Sequence, residues 1–159
     1  MFSSKFVVIN KLQTCNIIIR LNSLSAGATK VPNATKIKTD MVGPPDPVSN
    51  LRKFVLKVPE KETDLEKRYR TMRIEVQEWN QQFWSKHNSS FFKEREEYLR
   101  KNLPEGKQNL TADEMSVFYK AFLDKNWKNH VNYNIEWYRK NIILLGLAIK
   151  VKCRKILKI

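Results

Sequence analysis

Near neutral pH, metal binding or proton transfer would fall mainly to two histidines, two cysteines and sixteen carboxylates. His87 and His130 have no HExxH frame, no cysteine partner and no carboxylate at ligand spacing, so each reads as a solitary histidine and no metal or cofactor is expected. Cys15 and Cys153 stand far apart, which excludes CxxC, CxC and paired-thiolate devices as well as a disulfide framework. Only Lys152 and Arg154 flank Cys153 to favour its thiolate. Glu94 with Glu97 and Asp113 with Glu114 are paired carboxylates, but they sit in helix-forming segments with no sign of a pocket to split their pKa values. With four glycines in the chain, a phosphate-cradling loop is hard to build, and no GxGxxG, Walker or GxSxG motif occurs. These residues predict a non-enzymatic protein with no catalytic site.

The remaining candidate is "EVQEWNQQFWSKH", residues 75–87, where Trp79, Phe83 and Trp84 are set among amides. Stacking on single-stranded nucleic acid needs aromatics interleaved with Lys or Arg, yet no basic residue lies between Glu75 and Ser85. Trp79 and Phe83 are four apart and continue an apolar helical stripe, so they read as a helix seam. Trp84 lies about 100° further round, where an amphipathic ring would border the seam or meet a partner.

The elements that must position these residues are helical. Thr63-x-x-Glu66 is a capping box that starts a first helix, with apolar positions Leu65, Tyr69, Met72, Val76, Trp79 and Phe83 at steps of three and four. Asn88, Ser89 and Ser90 predict a break and re-cap before a second helix burying Phe91, Phe92, Tyr98 and Leu99. "PEGKQN" ends it. Thr111-x-x-Glu114 opens the next helix, and Asn126, Asn129, Asn132 and Asn134 predict a bend near residue 130 before a last helix carrying Trp137 and Tyr138. Upstream, Pro44, Pro45 and Pro47 favour extended, polyproline-like backbone, and Phe54, Leu56 and Val58 alternate like one short strand without a visible partner. The expected fold class is all-α: three to four helices with an extended Pro-rich N-terminal arm.

The chain carries a net charge of +14, of which six charges come from residues 1–39, a segment without acidic residues. Hydroxyls and spaced apolar residues accompany those cations, the composition of a mitochondrial transit peptide and linker. The domain organisation read from this is 1–39 targeting segment and linker, 40–141 helical domain, and 142–159 basic amphipathic C-terminal tail. Residues 142–149 are uncharged but too few to span a bilayer. Lys150, Arg154 and Lys158 follow at four-residue steps along one helical face, predicting contact with an anionic membrane surface.

"GPPDPVSNLR" (43–52), "EVQEWNQQFW" (75–84) with "HNSSFFKEREEYL" behind it, and "LTADEMSVFYKAFLDKN" (110–126) followed by "YNIEWYRKN" (133–141) resemble the apoptogenic protein 1 family, also called cytochrome c oxidase assembly factor 8. The resemblance covers roughly residues 40–141. It implies a mitochondrial protein, peripheral on the matrix side of the inner membrane. Such a protein supports assembly and stability of respiratory complex IV, protects it from oxidative damage and has a connection to apoptosis. Its implied partners are complex IV subunits or assembly intermediates. The positions carried over as partner-binding are Gly43, Pro44, Pro45, Asp46, Glu78, Trp79, Asn80, Phe83, Trp84, Trp137 and Tyr138. On chemistry alone the proline-rich arm is equally a rigid linker or a binding element, and the resemblance favours binding. The charge of +8 that remains beyond residue 39 keeps one alternative open, a basic mitochondrial ribosome- or RNA-associated protein.

Overall fold

The computed structural model describes residues 37–106 and 109–157. The expected targeting segment lies outside the described residues except for positions 37–39, and Lys158 lies outside them too. Among the described residues there are two strands and two helices, forming two compact units that divide after Lys57.

The first unit contains a hairpin of β1 (Met41–Pro45) and β2 (Arg52–Val55), antiparallel with Met41 opposite Val55 and Val42 opposite Phe54. The segment expected to be a lone strand therefore has a partner, and the proline-rich arm is that partner. Glycine and two prolines disguise β1. Proline has no N–H to give a ladder, and the pairing is irregular between Val42 and Pro45, where those residues fall. Asp46 organises the turn: its Oδ1 accepts from the amides of Val48 (3.0 Å) and Ser49 (2.7 Å). Its own amide donates to the Leu51 carbonyl at 2.8 Å. Asn50 adopts a left-handed φ of 60°, which asparagine tolerates better than most side chains. At the open end the Lys57 amide donates to Asp40 Oδ1 at 2.9 Å.

The second unit is an antiparallel pair of long helices, α1 (Asp64–Asn102) and α2 (Ala112–Leu157). Both capping boxes form. Thr63 and Glu66 satisfy each other's backbone amides at the start of α1, and Thr111 and Glu114 do the same for α2. The connection passes through Gly106 at φ 86°, a conformation that favours glycine. Met115, Phe118 and Phe122 form the buried cluster, surrounded by Phe91, Tyr98, Leu99, Leu110 and Tyr119. Further along, Glu94 pairs with Lys125 at 2.9 Å, and at the far end Glu66 pairs with Lys155 at 2.8 Å.

Among the described residues there are thus two helices rather than three to four. The breaks expected at Asn88–Ser90 and near residue 130 do not occur. A serine or asparagine costs a helix about 0.5 kcal/mol, whereas each large apolar side chain buried on either side contributes about 1.5–3 kcal/mol, so tertiary packing carries the helix through. The polar side chains also bond locally. Ser90 Oγ donates to Glu94 Oε1 (3.0 Å), and Asn126 Nδ2 donates to the Phe122 carbonyl (2.9 Å).

Candidate functional site: an aromatic seam and a bare helix face

Halfway along the helix pair, Tyr133 of α2 faces the tryptophan-rich turn of α1. Its ring lies nearly parallel to Trp79 (centroids 5.0 Å apart, planes 10°) and to Phe83 (4.2 Å, 21°). The Trp84 indole N–H donates to the Tyr133 hydroxyl at 2.9 Å, and that hydroxyl donates to Asn80 Oδ1 at 3.1 Å. Burial raises the Tyr133 pKa, offset in part by the bond from Trp84. The Lys140 ammonium sits 5.2 Å from the centroid of Trp79, a cation–π contact. Trp79, Asn80, Phe83 and Trp84 are therefore brought together by one tyrosine, and Trp84 has a partner within the chain.

One turn towards the connection, the two histidines that look solitary in the sequence meet. Their Nε2 atoms are 3.3 Å apart across 43 residues of chain. His87 also stacks on Phe83 and contacts Phe122. Burial, followed by the charge of His130, holds His87 down to about 4, and burial lowers His130 as well. A histidine kept neutral in the fold but free to protonate when unfolded, with its ordinary value of 6.5, favours the unfolded chain as acid is added. The stability these residues preserve is complete above pH about 6.5 and is lost as pH falls towards about 4. Glu66 is held down to about 2 chiefly by its bond to Lys155, and Glu136 to about 2 chiefly by Arg139. Those carboxylates act in a separate, lower window, from 4.5 downwards. Denaturation midpoints in urea measured across pH should fall in two stages, and His87→Gln should flatten the upper stage while leaving the lower one.

Other expected positions lie apart from this seam. Glu78 is exposed on the outer side of α1. Trp137 and Tyr138 meet edge to face at 5.2 Å, with Tyr138 55% exposed. Gly43, Pro44, Pro45 and Asp46 belong to the hairpin unit, and the Asp46 carboxylate is engaged by its own turn. Lys150 and Arg154 are exposed on α2.

Sequence reasoning missed a face of α2. Ile135, Tyr138, Ile142, Leu145, Ile149 and Ile156 recur at steps of three, four and seven, and each is more than half exposed. On a helix of 100° per residue they form one narrow stripe, opposite the face on which Tyr133, Lys140, Leu147 and Val151 lie. Arg139 and Lys150 border it on one side and Lys152 on the other. From Lys125 to Leu157 the sole acidic residue is Glu136, which lies off the stripe and binds Arg139 and Lys140. An apolar stripe with cationic borders and no acid suits an anionic surface. Among the described residues, no helix is long and apolar enough to cross a membrane, and no cluster of three or more ligand-type side chains occurs.

The family model described as cytochrome c oxidase assembly factor 8 matches residues 39–157. The chain is similar to the COA8 family protein CG14806, mitochondrial, of Drosophila melanogaster, at 46% identity over 82% of this chain and 74% of that one. It is similar to cytochrome c oxidase assembly factor 8 of Bos taurus, at 42% identity over 76% of this chain and 68% of that one. The human protein of the same name is 38% identical over 86% of this chain and 71% of its own. No solved structure matches. With almost the whole helical unit and the hairpin inside the matched span, this chain belongs to the cytochrome c oxidase assembly factor 8 family.

Proposed function

We propose that this chain is a non-enzymatic mitochondrial factor in the assembly of cytochrome c oxidase, acting at the anionic matrix-side surface of the inner membrane. The family supports the assembly role, and the names of relatives support the mitochondrial location. The observation that carries the mode of action is the bare isoleucine stripe of α2 with its cationic borders. Six side chains whose apolar surface stays largely in water among the described residues are a cost, and an interfacial helix offsets that cost by burying them at the level of the lipid headgroups. Contacts with assembling subunits fall to exposed groups: Glu78 on α1, Trp137 where its ring meets Tyr138, and Pro44 and Pro45 of the hairpin. Protection of the oxidase against oxidation and the connection to apoptosis rest on the family resemblance. Import rests on the acid-free basic segment 1–39.

Depleting the chain from cells should lower assembled, active oxidase, with the other respiratory complexes unchanged, and restoring it should reverse the loss. Fractionated mitochondria should hold the protein on membranes, released by alkaline carbonate. Normal oxidase levels after complete depletion would sink the proposal.

A further inference from the structure

We propose that His87 and His130 form a two-imidazole site for a borderline divalent cation of the zinc type, bridging α1 and α2, with the remaining coordination positions supplied from solvent. The inference is independent of the membrane role. It starts from the separation of the two Nε2 atoms, 3.3 Å. Two nitrogen ligands at about 2.0–2.1 Å from a tetrahedral zinc ion are themselves about 3.3 Å apart, so the observed separation matches one edge of a coordination tetrahedron. The ring planes are inclined at 61°, with centroids 4.6 Å apart.

The surroundings fix this geometry. His87 is stacked against Phe83 at 5.9 Å, meets Trp84 edge-on at 5.6 Å and touches Phe122 at 5.3 Å. His130 is met by Phe83 and Trp84, both at 6.5 Å. Each imidazole is mounted on a long helix, and the helices are held together on one side by the Phe122 cluster and on the other by Tyr133. A metal would find its two ligands with little left to order.

The chemistry of the rings is also suitable. Metal ligation needs neutral imidazole, and the apolar setting keeps both rings neutral. Without metal, one Nε2–H donates to the lone pair of the other Nε2. On binding, the donor ring carries its proton on Nδ1 instead, both Nε2 lone pairs turn to the cation, and no net proton is released. As a purely structural bond the contact is a poor one: 3.3 Å is long for an N–H donor, and two apolar side chains would fill the seam without desolvating two imidazoles. With two protein ligands the site is open and its affinity micromolar rather than nanomolar, which suits a cation that is passed on or shared with a ligand from outside.

The test uses the full chain with Cys15→Ser and Cys153→Ser, so that no thiolate competes, titrated with zinc chloride by calorimetry. One Zn²⁺ should bind per chain, and His87→Gln and His130→Gln should each weaken binding by at least about tenfold. Zinc should raise the thermal midpoint of the chain with both histidines and of neither variant. Nitrogen NMR of the intact chain keeps the proposal testable if a variant fails to fold: zinc should move both Nε2 resonances and leave both rings protonated at Nδ1. Absence of one-to-one binding in the micromolar range, binding undiminished by either substitution, or unmoved Nε2 resonances would each overturn it.

Discussion

Phe122→Ala is expected to leave the helical unit unfolded at room temperature, or close to it. Among the described residues Phe122 is the most buried core side chain, 3% exposed, and it touches Phe91, Phe118 and His87. Truncating a buried phenylalanine costs about 3–5 kcal/mol through lost transfer energy and the cavity left behind. Small domains have about 5–15 kcal/mol in total, and a unit whose central cluster is three buried side chains belongs near the lower end of that range. Helical circular dichroism in urea would measure the loss. Val117→Ala on the same helix is the control. That valine is 62% exposed, and its removal should change stability by no more than about 0.5 kcal/mol. Equal effects from the two substitutions would mean that the cluster around Phe122 is not the core.

The second large effect belongs to the outer face of α2. Ile142→Glu combined with Ile149→Glu should reduce binding to vesicles containing anionic lipid by about 100-fold or more. The loss is at least two isoleucine burials of about 1.5 kcal/mol each, and every 1.4 kcal/mol is tenfold in affinity. The introduced carboxylates add repulsion from the lipid charge. Since these side chains are 68% and 54% exposed, the thermal midpoint should hardly move. Lys150→Gln with Lys152→Gln should give a smaller loss, about 1 kcal/mol per cation, one that raised salt reproduces in the unaltered chain. Vesicle co-sedimentation at low and high salt separates the two contributions. Undiminished binding by the double glutamate chain would remove this face as the docking surface, and a large drop in its thermal midpoint would show that the stripe is packed rather than bare.

The features legible in the sequence were the ones whose cause is local. A capping box is complete within four residues, so Thr63–Glu66 and Thr111–Glu114 announce both helix starts, and the structure forms both. Helix interiors were misread at Asn88–Ser90 and near Asn132 because weak local preferences there are outvoted by aromatic packing from a second helix. Phe54 signalled a strand, but its pairing was hidden because the partner contains Gly43, Pro44 and Pro45, residues that argue against a ladder. Trp79 and Phe83 could be placed on a seam by period. Tyr133, Lys140 and the meeting of His87 with His130 could not, since contacts across 43 residues leave no periodic trace. The Ile135–Ile156 stripe was readable as a pattern. Its exposure was not, because α2 is apolar on two faces and period alone does not say which of them α1 covers.

The position of the core along the two helices sets the order in which the pair comes apart. The Met115, Phe118 and Phe122 cluster lies beside the connection, where contacting residues are nearest in sequence and loop closure costs least entropy. Folding is therefore expected to zip from the turn outwards, with the Glu66–Lys155 ion pair as the last clasp to close and the first to open. Amide hydrogen exchange should follow the same gradient, slow around Phe122 and rising towards Leu157. The stretch of α2 that carries Ile149 and Ile156 is then the stretch that can lift, tilt or re-seat against a surface at the smallest energetic cost, while the turn end keeps the two helices in register.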